Sequence, residues 1–468
     1  MKTITLFLIF VLSTPLIAAQ TGNNTSPFLR SSLYTFLVKS DQDSRQLDKE
    51  KQYENEFSQS MTSLVNIKKE LTADDSIPKS ELIQNLFSSI EIPDQFNDHN
   101  LTERILDYDQ LVKAGTPASY VDSVSMAIEN FFNINSTPTR LVGKWHNYTG
   151  ETYEHPVTQS PVFYNMELIK ERGLYNASES AKEISLFNSQ GLYAIENMGK
   201  ELIPNTFVMG LRLKYVSNNE LIDDSQSLVK DLVGLAGMFT KKVDSTAIAG
   251  MVDLAAGIAD VSVGSGYSVQ AISYLYQLEW NDDMQKSFNQ YIDKPIEELL
   301  KSSICRLRFV GMDQSSAGVT SSKFSKKPES ALVKRATARS IDAVIAKLQS
   351  NYDVFKTKCK ISNIEDGTIY AKIGLKEGLT AGDVYEVLER VVDQETQQVS
   401  FNKVGSVKVD KKEIWDNRYE AEEEMKEIQE AGKGNVSTLT ATAFKGKIKN
   451  VHPGMYLRLE KKRKNKIL

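Results

Sequence analysis

A chain of 468 residues, 41% hydrophobic and 25% charged, has room for two to four domains and the make-up of a folded soluble protein. Its formal charge of −5 is small for that length, so no broad basic surface for nucleic acid is implied. Cys305 and Cys359 are the two cysteines, and neither sits in a C-x-x-C pattern, which leaves redox catalysis and a zinc knuckle without support. In an oxidising compartment the two can form a disulfide; two separate buried thiols on different elements is the equal alternative.

Residues 1–19 read as a signal peptide: Lys2 supplies the positive start, Leu6 to Leu12 the apolar centre, and Ala18-Ala19 the small residues before cleavage at Gln20. The apolar run is too short for a membrane span and is broken by Ser13-Thr14-Pro15. Export to the periplasm, the outer-membrane surface or the exterior follows. With no cysteine near the cleavage site, the lipid-attached form of export is not expected.

Ser32 to Val38 (SLYTFLV) reads as a buried strand. Helical spacing is expected over 58–72, 79–90, 103–113 and 117–132, with Asp94 to Thr102 polar and turn-prone. Arg140 to His146 is ambiguous between strand and helix. Two helices follow, the first stopped by Gly173 and the second, Ser178 to Met198, ended by Gly199. Thr206 to Val216 is a strand, and so is Tyr267 to Trp280, whose aromatic stripe is better explained by core packing than by ligand binding.

Between those strands lies Leu228 to Gly266, rich in Ala, Gly, Val and Leu. Lys241, Lys242, Asp244, Asp253 and Asp260 leave no uninterrupted run long enough to span a bilayer, so a buried or surface-adsorbed helical hairpin is the expectation. Helices over Asp282 to Tyr291 and Pro295 to Leu300, a strand from Cys305 to Val310 and a Ser/Lys-rich loop from Ser315 to Pro328 come next.

Ser330 to Tyr352 is the best helix, with Ala338, Ile341, Ile345, Leu348 and Tyr352 on one face and Lys334, Arg335, Arg339 and Lys347 elsewhere. It leads into Gly367–Asp410, where Gly374, Gly378 and Gly382 punctuate short apolar runs before Asp383; this reads as a small antiparallel β module. A charged excursion (Lys411 to Lys433), strands at Ser437 to Phe444 and Met455 to Leu459, and a basic tail complete the chain. The tail is a solubilising end that can also touch anionic lipid headgroups.

No reactive constellation is visible. His99, His146, His155 and His452 lack H-E-x-x-H spacing, and there is no G-x-S-x-G, phosphate-binding G-x-x-x-x-G-K-[ST] or G-x-G-x-x-G. No catalytic residue, metal ligand or cofactor site is therefore assigned. A glycosidase stays open, because its two carboxylates need no local motif.

KIGLKEGLTAGD at Lys372 to Asp383, continuing through YEVLERV and VGSVKVD to PGMYLRL, resembles the C-terminal domain of the flagellar assembly protein T of Gram-negative bacteria, over roughly 362–460. Upstream, ERG-L (Glu171 to Leu174), GKELI (Gly199 to Ile203) and TFVMG (Thr206 to Gly210) resemble the central α/β domain of that protein and of the curli secretion lipoprotein. As a whole the chain is similar to a family of large secreted Gram-negative proteins without an assigned activity. There is no lipobox cysteine, and the Leu228–Gly266 insertion is foreign to both relatives. Neither relative is an enzyme, so the resemblance carries no catalytic residue over.

The expected fold is α/β (α+β): a signal peptide (1–19), a mainly helical N-terminal region with one early strand (20–135), a central α/β domain with the helical insertion 228–266 (136–360), a small β-barrel-like module (361–460) and the basic tail (461–468). The expected role is a non-enzymatic cell-envelope accessory or scaffold protein that binds other envelope proteins. A membrane-associated oligomer or secretion-related component, and an exported hydrolase with carboxylates from distant loops, are the alternatives.

Overall fold

The computed structural model describes residues 26–39, 93–107, 131–148, 159–176, 189–217, 266–320, 329–393, 399–430 and 439–463, apart from 292 and 303, with scattered positions beyond them. The expected signal peptide, the expected helices 58–72 and most of 79–90, and nearly all of the Leu228–Gly266 insertion lie outside these residues.

Two sheets organise the chain, beside a two-stranded antiparallel pair of β4 (Tyr153–Glu154) and β5 (Pro161–Val162). The five-stranded sheet has the order β3 (Phe96–Asp107), β2 (Ser31–Lys39), β6 (Thr206–Ser217), β7 (Gly266–Glu279), β8 (Arg306–Thr320). β2 pairs in parallel with both β3 and β6, whereas β7 is antiparallel to β6 and to β8. The second sheet closes on itself. β9 (Lys358–Glu365), β10 (Thr368–Ala371), β13 (Thr442–Lys445), β12 (Val399–Val409), β11 (Val384–Val392) and β14 (Tyr456–Lys461) form a ring sealed by the β14–β9 pairing. The C-terminal region is thus a closed six-stranded barrel, which leaves no free edge of its own to manage.

The expected strand at Ser32–Val38 is the interior strand β2. Most of the polar run 94–102 and the first part of the expected helix 103–113 are corrected to the single strand β3, twelve residues long, and 108–113 lie outside the described residues. Local composition disfavoured a strand there, but parallel pairing with β2 from Ser31↔Phe96 to Lys39↔Asp107 supplies the hydrogen-bond partners. β8 likewise runs through Thr320, across 315–320 of the expected Ser/Lys-rich loop, because β7 offers a partner strand along its whole length; 321–328 lie outside the described residues. The ambiguous Arg140–His146 segment is helical, as part of α1 (Thr137–Trp145).

Both faces of the five-stranded sheet are covered. Tyr34, Phe36, Val208, Tyr274 and Tyr276 meet Ile128, Phe132 and Leu141 on one face. The aromatic stripe of β7 is therefore core. On the other face Leu33, Phe207, Met209 and Leu275 meet Ile341, Val344, Ile345 and Leu348 of the longest helix. The helices in chain order after α1 are α2 (Glu167–Asn176), α3 (Ser189–Lys200), α4 (Asp282–Phe288), α5 (Ile296–Lys301), that long helix α6 (Glu329–Asn351) and α7 (Ala421–Glu430).

β2, β3, β6 and β8 end, and β7 begins, at one end of the sheet. The barrel joins at the opposite end. β1 (Phe28–Leu29) pairs with β9 of the barrel, and only Arg30 separates it from β2 of the sheet. Phe355, between α6 and β9, stacks on Phe96 at 5.2 Å and meets Phe207 edge-on at 4.9 Å, at the starts of β3 and β6. The chain beyond Gln20 thus contributes to both sheets within its first twenty residues.

Gly173 lies inside its helix and does not stop it, whereas Gly199 is the penultimate residue of α3, which ends at Lys200 as expected to within one residue. α2 and α3 cross there with backbones in contact: a Cβ on Gly173 would lie 2.0 Å from the Ile195 carbonyl oxygen, and one on Gly199 would lie 1.9 Å from that of Ile169. Glycine is required by the neighbouring helix, not by its own backbone geometry. Replacing Gly173 with Ala should force the two helices apart and lower stability by about 1–3 kcal/mol. Thermal unfolding followed by circular dichroism checks this, with the exposed Leu174→Ala as the near-neutral control.

Candidate functional site

An array of buried charge and amide groups lies where α6 meets the barrel. Arg335, Arg339, Asp342, Ala346 and Gln349 recur at i, i+4, i+7, i+11 and i+14, a second stripe on the helix turned away from the sheet. Its two arginines are almost fully buried. A guanidinium in that position must be paired, because an unpaired buried cation is far more costly than a paired one. Both partners come from the barrel's excursion between β12 and β13. Arg335 donates through Nε (2.9 Å) and Nη2 (2.8 Å) to Glu420 Oε2. Arg339 donates to the Tyr419 carbonyl (3.1 and 3.0 Å) and to Glu424 Oε2 (2.7 Å).

Farther along the stripe an amide relay crosses the same seam. Gln349 Nε2 donates to Gln95 Oε1, and Gln95 Nε2 donates to Glu377 Oε1 at 3.2 Å. Glu377 also accepts from the Gly374 amide (2.7 Å) and Asn417 Nδ2 (2.8 Å) through Oε2. Burial nonetheless raises its carboxyl above the ordinary range. Asp342, beside it, is pushed up to about 7 by burial, against the pull of Lys376.

A second cluster pins the C-terminal strand. Asp383, which the Gly-x₃-Gly-x₃-Gly-Asp run singles out, is fully buried. Its carboxylate accepts from the Thr380 amide and hydroxyl (both 2.9 Å), Lys462 Nζ (2.8 Å) and the Arg463 amide (2.9 Å). Lys462 also donates to the Gly378 carbonyl. Gly378 (φ 68°) and Gly382 (φ 85°) take the left-handed conformation that this turn needs. Lys462 and Arg463 of the basic tail are thereby fastened to the barrel, and residues 464–468 lie outside the described residues.

A third cluster surrounds His146. The imidazole is buried against Phe288 (ring centroids 4.3 Å apart), Tyr164 and Trp280. Nδ1 lies 3.0 Å from the Val142 carbonyl, while Nε2 makes no hydrogen bond. Burial lowers its pKa to about 4, so the ring is neutral at pH 7.

Cys305 belongs to this aromatic cluster and Cys359 to the barrel core, and both are buried free thiols. Burial pushes Cys305 up to about 12 and holds Cys359 well above the ordinary thiol range, which disfavours the reactive thiolate at both. His452 is exposed with Nδ1 3.0 Å from the Pro453 carbonyl, and only the backbone of His99, in β3, is described; His155 lies outside the described residues. Among the described residues no three His, Cys, Asp or Glu side chains converge to hold a metal ion, and no helix is long and apolar enough to cross a membrane.

Reasoning from sequence missed the seam. The signal that could have found it is the periodicity of Arg335, Arg339 and Asp342, charged residues at core spacing on a helix that already has one apolar face. Neither the scan against protein-family models nor the search of curated proteins gives a match for this chain.

Two titrations follow. The folded chain keeps the Asp342 proton to about pH 7, the unfolded chain only to about 3.8, so stability falls as pH rises through that window. Asp342→Asn removes the titration and should raise stability at pH 8 by about 2–4 kcal/mol, with little gain at pH 4; urea unfolding at the two pH values reads the difference. His146 acts in the opposite sense: it is protonated near pH 6.5 when unfolded but near 4 when folded. Its contribution, about 3 kcal/mol, is lost as pH falls through that interval. His146→Phe should flatten that part of the stability–pH profile, measured by the same unfolding experiment.

Proposed function

We propose that this chain is a non-enzymatic accessory or scaffold protein of the cell envelope, exported through residues 1–19, that binds other envelope proteins. The observation that carries this reading is how the chain uses its buried charges. Arg335, Arg339, Glu377 and Asp383 are all hydrogen-bonded within the fold, and together they join helix α6, the barrel and the C-terminal strand. Buried charges satisfied within the fold hold its parts in one rigid arrangement, as a scaffold requires.

The resemblance of 362–460 to the flagellar assembly protein T C-terminal domain supports the reading as a likeness of sequence and of barrel-like fold, and function does not travel with fold alone. On this reading the parts of 20–135 outside β1, β2 and β3 are mainly helical, and 228–266 is a helical hairpin carried on the β6–β7 hairpin. Binding of nucleic acid or of a cofactor has no part in it.

Photo-crosslinking in cells tests the proposal. The mature protein should begin at Gln20, form adducts with other envelope proteins, and be released from envelope fractions by alkaline carbonate. A strict monomer without envelope adducts would sink the reading. Resistance to carbonate would replace it with the membrane-associated oligomer, in which 228–266 contacts lipid.

A further inference from the structure

β8 is the outermost strand of the five-stranded sheet. One side of such a strand offers a row of N–H and C=O groups to any other strand that approaches. Peptide groups alternate in direction along a strand, so the outward-facing residues of β8 recur at every second position. Met312 and Gln314 are two of them, and all four of their backbone groups are already occupied by side chains. The Tyr352 hydroxyl accepts from the Met312 N–H (3.2 Å) and donates to the Met312 C=O (3.0 Å). A single hydroxyl thereby reproduces the acceptor and donor that a neighbouring strand would present. The Gln314 N–H donates to Asp313 Oδ1 (3.0 Å), and Lys347 Nζ donates to the Gln314 C=O (3.0 Å).

The capping groups are held in place. Asp313 is buried, pairs with Lys347 Nζ at 3.2 Å and accepts from Asn351. Lys347 and Asn351 are one helical turn apart at the end of α6, and Tyr352 follows directly. Gly311 is what admits the tyrosine: a Cβ there would lie 2.1 Å from Tyr352 Cζ. Next to it, Val310 is the extra residue of a bulge opposite Leu275 and Tyr276, which bends the strand where the cap begins.

We propose that Tyr352, Lys347 and Asp313 form an edge lock, which keeps β8 from pairing with β8 of a second copy of this chain. Without the lock, two copies would join their five-stranded sheets antiparallel about a two-fold axis through the Met312–Gln314 segment, in a self-complementary contact. The lock goes beyond the scaffold reading and does not depend on it: it governs self-association, whatever the protein binds.

The test uses the full mature chain. Tyr352→Phe keeps the ring against Gly311 and removes the hydroxyl, and Lys347→Met removes the second cap. Sedimentation velocity across a concentration series should show the double variant associating at least tenfold more tightly than wild type, with the Met312 amide exchanging faster in the monomer. Adding Gln314→Pro, which deletes an outward N–H without touching the β7 ladder, should abolish the new association. A folded double variant that sediments like wild type overturns the lock, and so does association that Gln314→Pro leaves intact. Should the double variant fail to fold, Tyr352→Phe alone is read by the same two measurements against the same outcomes.

Discussion

Two buried arginines on the outer face of α6 decide what can pack against it. The helix already commits its apolar face to the five-stranded sheet through Ile341, Val344, Ile345 and Leu348. Anything packed on its other face buries Arg335 and Arg339, and burying them alone would cost several kcal/mol each. The barrel can dock there only because its excursion brings Glu420, Glu424 and the Tyr419 carbonyl to the two guanidinium groups. Direction matters as well as charge. The planar guanidinium of Arg339 divides its donors between a carbonyl and a carboxylate, which a lysine ammonium would not hold in one fixed geometry.

Once the barrel is placed, other contacts become obligatory. β9 follows α6 almost directly, so the barrel's first strand begins at the end of the sheet where β2, β3 and β6 start. There β1 pairs with β9, with Phe28 opposite Cys359, and a single residue later the chain enters the sheet as β2. A second contact forms on the other side, where Val399 of β12 packs on Ile195 and Met198 of α3 and donates its amide to Glu201 at 3.2 Å. Sheet and barrel are thus joined at the seam, through β1 and through α3. The same helix that anchors the barrel also reaches back with Lys347, Asn351 and Tyr352 to finish the outer edge of β8. One 23-residue element therefore serves three surfaces.

Much of the local structure was legible in the residues. β2, β6, β7, α6 and β14 follow from alternation or helical spacing, because each has one face whose burial is announced by composition. By contrast, β9 was not foreseen, and the expected strand Ser437–Phe444 is observed as a strand over Thr442–Lys445. The failures share a cause. β3 carries Asn97, Asp98, His99 and Asn100 in succession and is a strand only because β2 lies beside it. Gly173 looks like a helix stop when only its own helix is considered, since the reason for it is a carbonyl on the other helix. Cys305 and Cys359 could be weighed only as a pair or as two thiols, and which core each enters depends on contacts hundreds of residues apart.

What the sequence by itself determined is the catalogue of elements with strong periodicity, the turn chemistry around Gly378, Gly382 and Asp383, and a mixed α/β class with a C-terminal β module. Those are properties of neighbours along the chain, written in spacing and backbone preference. The tertiary structure alone decided that the barrel-like module closes with six strands through the β14–β9 pairing, that its position depends on a buried charged stripe, and that Tyr352 lies across the edge of β8. Each of these joins residues far apart in sequence, and a charge, a glycine or a tyrosine acquires its role only from the group that packs against it. Arg335 and Arg339 look like ordinary solvated side chains until Glu420 and Glu424 arrive.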